Sequence, residues 1–358
     1  MRAKILLYLL LFLILSFPSY SIWKSDFQIK GENIDIFPLI RSFSLFPEEW
    51  KIEGKTNPDL KITKEGDSWI IEGKILWKDF SIDHSKGKFY LTSPFITLQE
   101  LKAERKGKEW KISSLLVSPE IHYLGFTFKN VKASLLWEGG NLEVNSLNLT
   151  LGEGKVHSEG KIQLINPKLP LDFKLKSEGI KLEKLAYHSG KGELSLRSRI
   201  RGDGTNPSSL NGWGKIKIEK GELGKIPIFL DIFSLLFRGG PSHISMHSAK
   251  GDFKIREGFA YTDNLELKGK GISISAKGYV GWNRKLDFLV FYKFSQELLK
   301  FTPLTELVGV VIDRAGNGLV RLRITGTLTH RQYTVVPLAV GEDLEELLKK
   351  LLGIDKNY

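Results

Sequence analysis

Apolar and polar residues alternate along most of this chain, and glycines interrupt the alternation at recurring positions. A β-strand places successive side chains on opposite faces of its sheet, so the alternation predicts strands with one apolar and one charged face. A motif of a charged or small residue, a glycine and a renewed alternation occurs at residues 72–75, 159–162, 212–216, 277–280 and 325–328. The pattern predicts a long antiparallel sheet whose apolar face needs a cover.

Turn signals rich in glycine, asparagine and proline separate the predicted strands, at residues 139–141, 152–154, 166–167 and 202–204. Between residues 23 and 206 the short predicted strands recur about every 8 to 14 residues, which is too close for the crossover helix of a βαβ unit. Further strands are predicted at 215–219, 251–256, 259–262, 264–268, 271–276, 285–294 and 318–328. The chain is therefore predicted to be a meander.

Three segments depart from the strand pattern and predict helices. Residues 226–237 form an apolar run too long for a strand, and a Gly-Gly-Pro sequence follows shortly after it. A second helical segment is predicted at 295–311, broken at Pro303. The C-terminal segment, 341–358, contains an amphipathic helix with acidic residues at its start and lysines at its end, which matches the helix dipole.

The N-terminus predicts export. Arg2 and Lys4 precede an apolar run at 5–17, and no charged residue occurs between Lys4 and Lys24. The run is typical of a secretory signal peptide, and extended to residue 23 it is also long enough for an uncleaved anchor, at about 1.5 Å per helical residue. Both interpretations place the rest of the chain outside the cytoplasm.

Charge and cysteine content narrow the classes of partner. The 53 Lys and Arg residues exceed the 41 Asp and Glu residues and give a net charge of +12, which favours anionic partners such as phospholipid headgroups. The lysines alternate with apolar residues along strands instead of clustering, so no nucleic-acid partner is expected. The chain has no cysteine, which excludes disulfides and thiolate metal sites and fits a bacterial-type envelope protein.

A series of spaced motifs occupies residues 201–328. They are Gly202-x-Gly204, Pro207-x-x-Leu210-x-Gly212-x-Gly214, Ile218-x-x-Gly221-x-Leu223, Phe253-x-Ile255-x-x-Gly258, Leu265-x-Leu267-x-Gly269, Ala276-x-Gly278 and Val320-x-Leu322-x-Ile324-x-Gly326. In order and spacing this region resembles the C-terminal region of the AsmA-like family of envelope proteins. The chain departs from the family pattern after Leu328, where Thr329, His330 and Arg331 replace the usual proline.

The resemblance implies a mostly β protein whose long antiparallel meander sheet is rolled into a U-shaped groove, with acyl lipid carried in the apolar interior between membranes. The organisation expected on this basis is a signal peptide or membrane anchor at 1–23, a β-meander groove region at 24–200, an AsmA-like β region with short helices at 201–340, and the C-terminal amphipathic helix. The expected partners are phospholipid or another acyl lipid, the inner membrane, and an outer-membrane or envelope protein.

Apolar side chains two positions apart on their strands are expected to line the groove. They are Leu147, Leu149, Leu151, Phe173, Leu175, Leu194, Leu196, Ile216, Ile218, Phe253, Ile255, Leu265, Leu267, Ile272, Ile274, Phe288 and Val290. Ordinary packing offers an alternative in which the same side chains close into a sandwich or barrel core that holds no ligand.

Motifs that carry catalysis or hold cofactors do not stand out in the sequence. No nucleophile elbow, P-loop or dinucleotide fingerprint occurs in strand-turn-helix context, and no cofactor or enzymatic reaction is expected. His243 and His247 lie about 13 Å apart if their segment is a strand, too far to share a metal ion. The expected function is lipid binding and transfer in the periplasm, at the inner membrane. The alternative is a structural factor for outer-membrane protein assembly without lipid carriage.

Overall fold

The computed structural model of the chain describes residues 25–34, 50–84, 90–106, 109–123, 125–185, 190–222, 246–299, 311–312 and 318–336. Most of these residues lie in strands, and the strand pairs with a defined register are antiparallel. The predicted mostly β antiparallel fold is confirmed. The N-terminal segment 1–23 and the helices predicted at 226–237 and within 341–358 lie outside the described residues.

The chain divides into two compact units. Unit 1 contains Met1–Leu151, Lys155–Leu175 and Asp203–Thr205, and unit 2 contains Gly152–Gly154, Lys176–Gly202 and Asn206–Tyr358. The chain crosses between the units around residues 152–154, inside the strand Pro170–Lys181, and around residues 203–205.

Unit 1 is a meander in which successive strands pair with one another along the chain. Its strands are longer than expected, because Gly54 and Gly73 lie inside strands and do not end them. The strands are β1 (Ser25–Lys30), β2 (Trp50–Glu65), β3 (Ser68–His84), β4 (Tyr90–Lys106), β5 (Glu109–Tyr123), β6 (Phe126–Glu138), β7 (Asn141–Leu151), β8 (Gly154–Gln163) and the first half of β9 (Pro170–Lys181).

Unit 2 continues the same pattern of sequential hairpins. Its elements after β9 are a 3₁₀ turn at Leu182–Lys184, β10 (Lys191–Asp203), a 3₁₀ turn at Pro207–Ser209, β11 (Asn211–Glu222), β12 (Met246–Arg256), β13 (Phe259–Gly269), β14 (Ile272–Gly281), β15 (Lys285–Phe294), α1 (Gln296–Leu299), β16 (Val311–Ile312), β17 (Gly318–Thr327) and β18 (Arg331–Val335). Because β15 pairs directly with β17, these strands remain neighbours although β16 lies between them in sequence.

Unit 2 differs from the prediction in two boundaries and one strand. The strands predicted at 259–262 and 264–268 form the single strand β13, which accommodates an irregularity in register between Thr262 and Leu265. The helix predicted at 295–311 does not reach its predicted C-terminal end, because Val311–Ile312 pairs with β17 as a strand. The short strand β18, which pairs with β17, was not predicted.

The recurring glycines share one structural cause. A Cβ atom added at Gly73, Gly160, Gly212, Gly278 or Gly326 would lie less than 3.0 Å from a carbonyl oxygen of an adjacent chain segment. Real Cβ atoms do not approach other atoms so closely, so any side chain here would push the neighbouring backbone away. The motif read from the sequence therefore marks close backbone approach inside or beside the strands.

We expect Gly278→Ala to lower the free energy of unfolding by about 2 kcal/mol or more, because both its φ of +156° and the Asp287 carbonyl oxygen oppose a Cβ atom. Urea unfolding followed by circular dichroism measures the change. Gly66→Asn is the control, since this turn glycine has a φ of +58° and open space around it, and asparagine tolerates that conformation. Equal losses in the two variants would contradict the close-approach explanation.

Candidate functional site

The strand register of unit 1 aligns apolar side chains in rows that cross the sheet. One row of directly opposed partners runs from β2 to β7 through Pro58, Ile75, Leu98, Leu116, Ala133 and Leu147. A second row runs from β1 to β7 through Phe27, Ile62, Ile71, Ala103, Ile112, Trp137 and Leu142. Directly opposed residues point to the same side of a sheet. The two rows define one face, here called the unit 1 apolar face.

Larger side chains of this face are only half-buried from β5 onward. Leu116 on β5, Trp137 on β6 and Leu147 on β7 retain part of their surface in contact with solvent. Burial is more complete on β2 to β4, where Ile52, Trp77 and Ile96 form a small buried cluster. The half-buried section of the unit 1 apolar face therefore lies on β5 to β7.

Unit 2 carries an equivalent row, but most of it is sealed. The row runs from β10 to β17 through Leu194, Ile218, Ala249, Leu267, Ile274, Tyr292 and Val320. Relative exposure is only 2% at Ile274 and 1% at Val320, whereas Leu194 and Ile218 are half-buried. Leu185, after the first 3₁₀ turn, and Leu298 of α1 pack against this cluster. From β12 to β17 these side chains form a closed hydrophobic core.

The side chains predicted to line a groove divide between the two units. Leu147, Leu149, Leu151, Phe173 and Leu175 belong to unit 1 and are half-buried. In unit 2, Leu194, Leu196, Ile216, Ile218, Phe253, Leu265 and Phe288 are half-buried, whereas Ile255, Leu267, Ile272, Ile274 and Val290 are buried. The register brings Leu194, Ile218, Leu267 and Ile274 into one row. The buried members of the set act as core residues of unit 2.

One polar atom lies unpaired inside the unit 2 core. Tyr292 is 1% exposed, its ring stacks on Phe294 with 6.1 Å between centroids, and its hydroxyl has no hydrogen-bond partner among the described residues. Burial raises the pKa of the Tyr292 hydroxyl above its ordinary value, with a further contribution from Tyr333. The hydroxyl therefore stays neutral and loses its hydration without compensation.

The opposite faces of both units carry charged side chains in cross-strand pairs. Arg323 donates two hydrogen bonds to the Asp287 carboxylate, at 3.0 and 2.7 Å, and this hydrogen bonding lowers the pKa of Asp287. In unit 1, Lys174 contacts Glu159 at 2.7 Å, and both side chains are exposed. Such exposed pairs contribute little to stability.

The described residues contain neither a metal-ligand cluster nor a membrane-spanning helix. Within the described ranges, no group of three or more His, Asp or Glu side chains is arranged to hold a metal ion. His247 lies exposed on β12, and His243 is outside the described residues. Among the helices in the described part of the chain, none is long and apolar enough to cross a membrane.

Comparison with known proteins gives no match. No protein-family model, no curated protein and no solved structure matches the chain.

We expect Tyr292→Phe to raise the free energy of unfolding by about 1 kcal/mol, because it removes an unpaired buried hydroxyl and keeps the stacked ring. The measurement is the shift in urea midpoint. As a control, Tyr333→Phe alters the partly buried hydroxyl that accepts a hydrogen bond from Arg331, so it should not stabilise. A destabilised Tyr292→Phe variant would show that this hydroxyl has a partner.

The Asp287–Arg323 pair should give a stability contribution that depends on pH. The folded-state pKa of Asp287 is lowered, so the contribution is present above the unfolded-state pKa of about 4 and is lost as the pH falls through the folded-state value. We expect a small favourable coupling energy at pH 7, because solvent around the largely exposed Arg323 screens the pair.

The test is a double-mutant cycle of Asp287→Asn and Arg323→Gln, measured by urea unfolding at about pH 7 and again near pH 3, where the coupling should shrink. A coupling that grows on acidification would contradict the assignment.

Proposed function

We propose that this protein binds acyl lipid on the unit 1 apolar face and contributes to phospholipid transport between the inner and outer membranes. The observation that carries the proposal is the contrast in burial between equivalent rows. Unit 2 seals its row from β12 to β17, whereas unit 1 leaves large side chains on β5 to β7 half-buried. Large apolar side chains that stay partly accessible in a row on one sheet face are available to a ligand or partner.

The dimensions of the half-buried section suit an acyl chain. Strands β5 to β7 lie about 4.8 Å apart, so the section measures about 10 Å across the strands. Strand β5 has 15 residues, which correspond to about 50 Å of length along the strand at about 3.3 Å per residue. One leaflet of a bilayer has a hydrocarbon depth of about 15 Å, half of the full core. An acyl chain of ordinary length therefore has room along the strands.

The proposed mechanism is partition without a chemical reaction. Each methylene group that leaves water for an apolar surface contributes about 0.8 kcal/mol. The headgroup stays in water, where the excess of positive charge provides a weak attraction that salt screens. In a U-shaped groove, which the AsmA-like resemblance implies, the same face would surround the chain and increase the buried area. Residues 1–23 would export the protein and hold it at the inner membrane.

Opposite faces of the same strands provide matched variants. Leu116 and Leu135 lie on the unit 1 apolar face, opposite Ala133 and Val144. Their sequence neighbours Leu115 and Leu136 face the other side, opposite Ser134 and Ser113. All four leucines are half-buried, so each pair of replacements removes the same side chains at similar burial.

We expect the double variant Leu116→Asn/Leu135→Asn to retain at least about tenfold less lipid than the wild type, because it removes apolar contacts and adds polar groups to the binding face. The double variant Leu115→Asn/Leu136→Asn should retain nearly wild-type amounts. Native mass spectrometry and lipid extraction of the full chain, purified from a bacterial host in mild detergent, measure the retained lipid.

Circular dichroism and thermal unfolding of both double variants control for loss of fold. Equal lipid retention by two folded double variants would contradict the proposed binding face. A folded wild-type protein that carries no lipid would contradict lipid binding itself. That result would favour the alternative, an assembly factor for outer-membrane proteins.

A further inference from the structure

A cavity of about 780 Å³ lies on the polar face of unit 2, opposite the sealed core. Its wall includes a row of aromatic and charged residues that lie opposite one another on neighbouring strands. Trp213 on β11 lies opposite Lys254 on β12, Lys254 lies opposite Tyr261 on β13, and Tyr261 lies opposite Tyr279 on β14. Trp213, Tyr261 and Tyr279 thus line one cavity on a face otherwise dominated by charged residues. A volume of this size is typical of small-molecule sites.

The aromatic side chains of the cavity are held in place by their neighbours. The rings of Tyr261 and Tyr279 lie 5.6 Å apart, and Phe259 meets Tyr279 edge to face at 5.2 Å. The Arg256 guanidinium lies 4.6 Å from the centre of the Tyr261 ring. Trp213, in contrast, is 50% exposed. The cavity therefore combines a fixed pair of tyrosines with an indole that is available to a ligand.

The charges around the rings are mixed in sign. Lys254 and Lys277 line the cavity and have no ion-pair partner within the described ranges. The carboxylates of Asp252 and Asp263 also line it, as does the Asp287–Arg323 pair. A chain of phosphates would meet these carboxylates with repulsion. A ligand rich in hydroxyl groups can donate hydrogen bonds to the same carboxylates and place one acidic group near the lysines.

We propose that this cavity binds a saccharide that carries a negatively charged substituent. The electropositive C–H groups on a sugar ring face suit the negative face of an indole or phenol ring. Trp213 supplies the stacking surface, the aspartates accept hydrogen bonds from hydroxyl groups, and Lys254 and Lys277 bind the acidic substituent. The site lies on the opposite face from the core row of unit 2 and does not depend on lipid binding.

The test is calorimetric titration of the full chain, in mild detergent, with a hexuronic-acid tetrasaccharide, a neutral glucose tetrasaccharide and inorganic phosphate. We expect the acidic tetrasaccharide to bind most tightly. Trp213→Ala should weaken its binding about tenfold through loss of stacking. The double variant Lys254→Gln/Lys277→Gln should remove the preference for the acidic over the neutral saccharide.

Trp282→Ala is the matched control, because Trp282 is 52% exposed but does not line the cavity, and its effect should stay within about twofold. Thermal unfolding confirms that each variant is folded. The proposal is overturned if neither saccharide binds at millimolar concentration, if phosphate alone binds as tightly as the acidic saccharide, or if Trp282→Ala weakens binding as much as Trp213→Ala.

Discussion

The antiparallel backbone ladder is the constraint on which the rest of this structure depends. Each strand presents alternate side chains to opposite faces, and each hairpin fixes which residues of the next strand lie opposite. Rows such as the one from Leu194 to Val320 exist only because successive hairpins keep that register. A slip of one residue would move a whole strand's apolar side chains to the charged face. The hydrogen-bonded register therefore determines the composition of both faces together.

The same ladder serves different purposes on its two sides. In each unit the apolar rows collect hydrophobic surface on one face, which is sealed in much of unit 2 and half-buried in part of unit 1. On the opposite face of each unit, charged residues pair across strands, and in unit 2 Trp213, Tyr261 and Tyr279 interrupt them. A sheet with two distinct faces can thus present an apolar surface and a polar cavity without any change of fold.

Much of the fold was predictable because strand periodicity is a local property. The alternation at 285–294 gave the bounds of β15 correctly, and the glycine motif indicated positions where backbones approach closely. The degree of burial was not predictable, because alternation assigns a residue such as Ile274 to a face but says nothing about what covers that face. Here Leu185 and Leu298, remote in sequence, help to seal the core. The cavity was missed for a related reason, since Trp213 and Tyr279 meet only through the registers of three hairpins.

Sequential pairing has a consequence for how the sheet forms. From β2 to β7, successive strands pair with one another, so each of these pairings closes only a short loop. A sheet of this kind can grow by adding strands in the order in which they emerge, and the last completed strand serves as the template for the next. Residues in left-handed conformation within strands, such as Asp79, Glu100 and Asn130, mark irregularities that make one alignment distinguishable from its neighbours. The glycine motif repeats from strand to strand, whereas these irregularities occur at particular positions. They therefore help each strand to pair with its own neighbour and not with another strand that carries the motif.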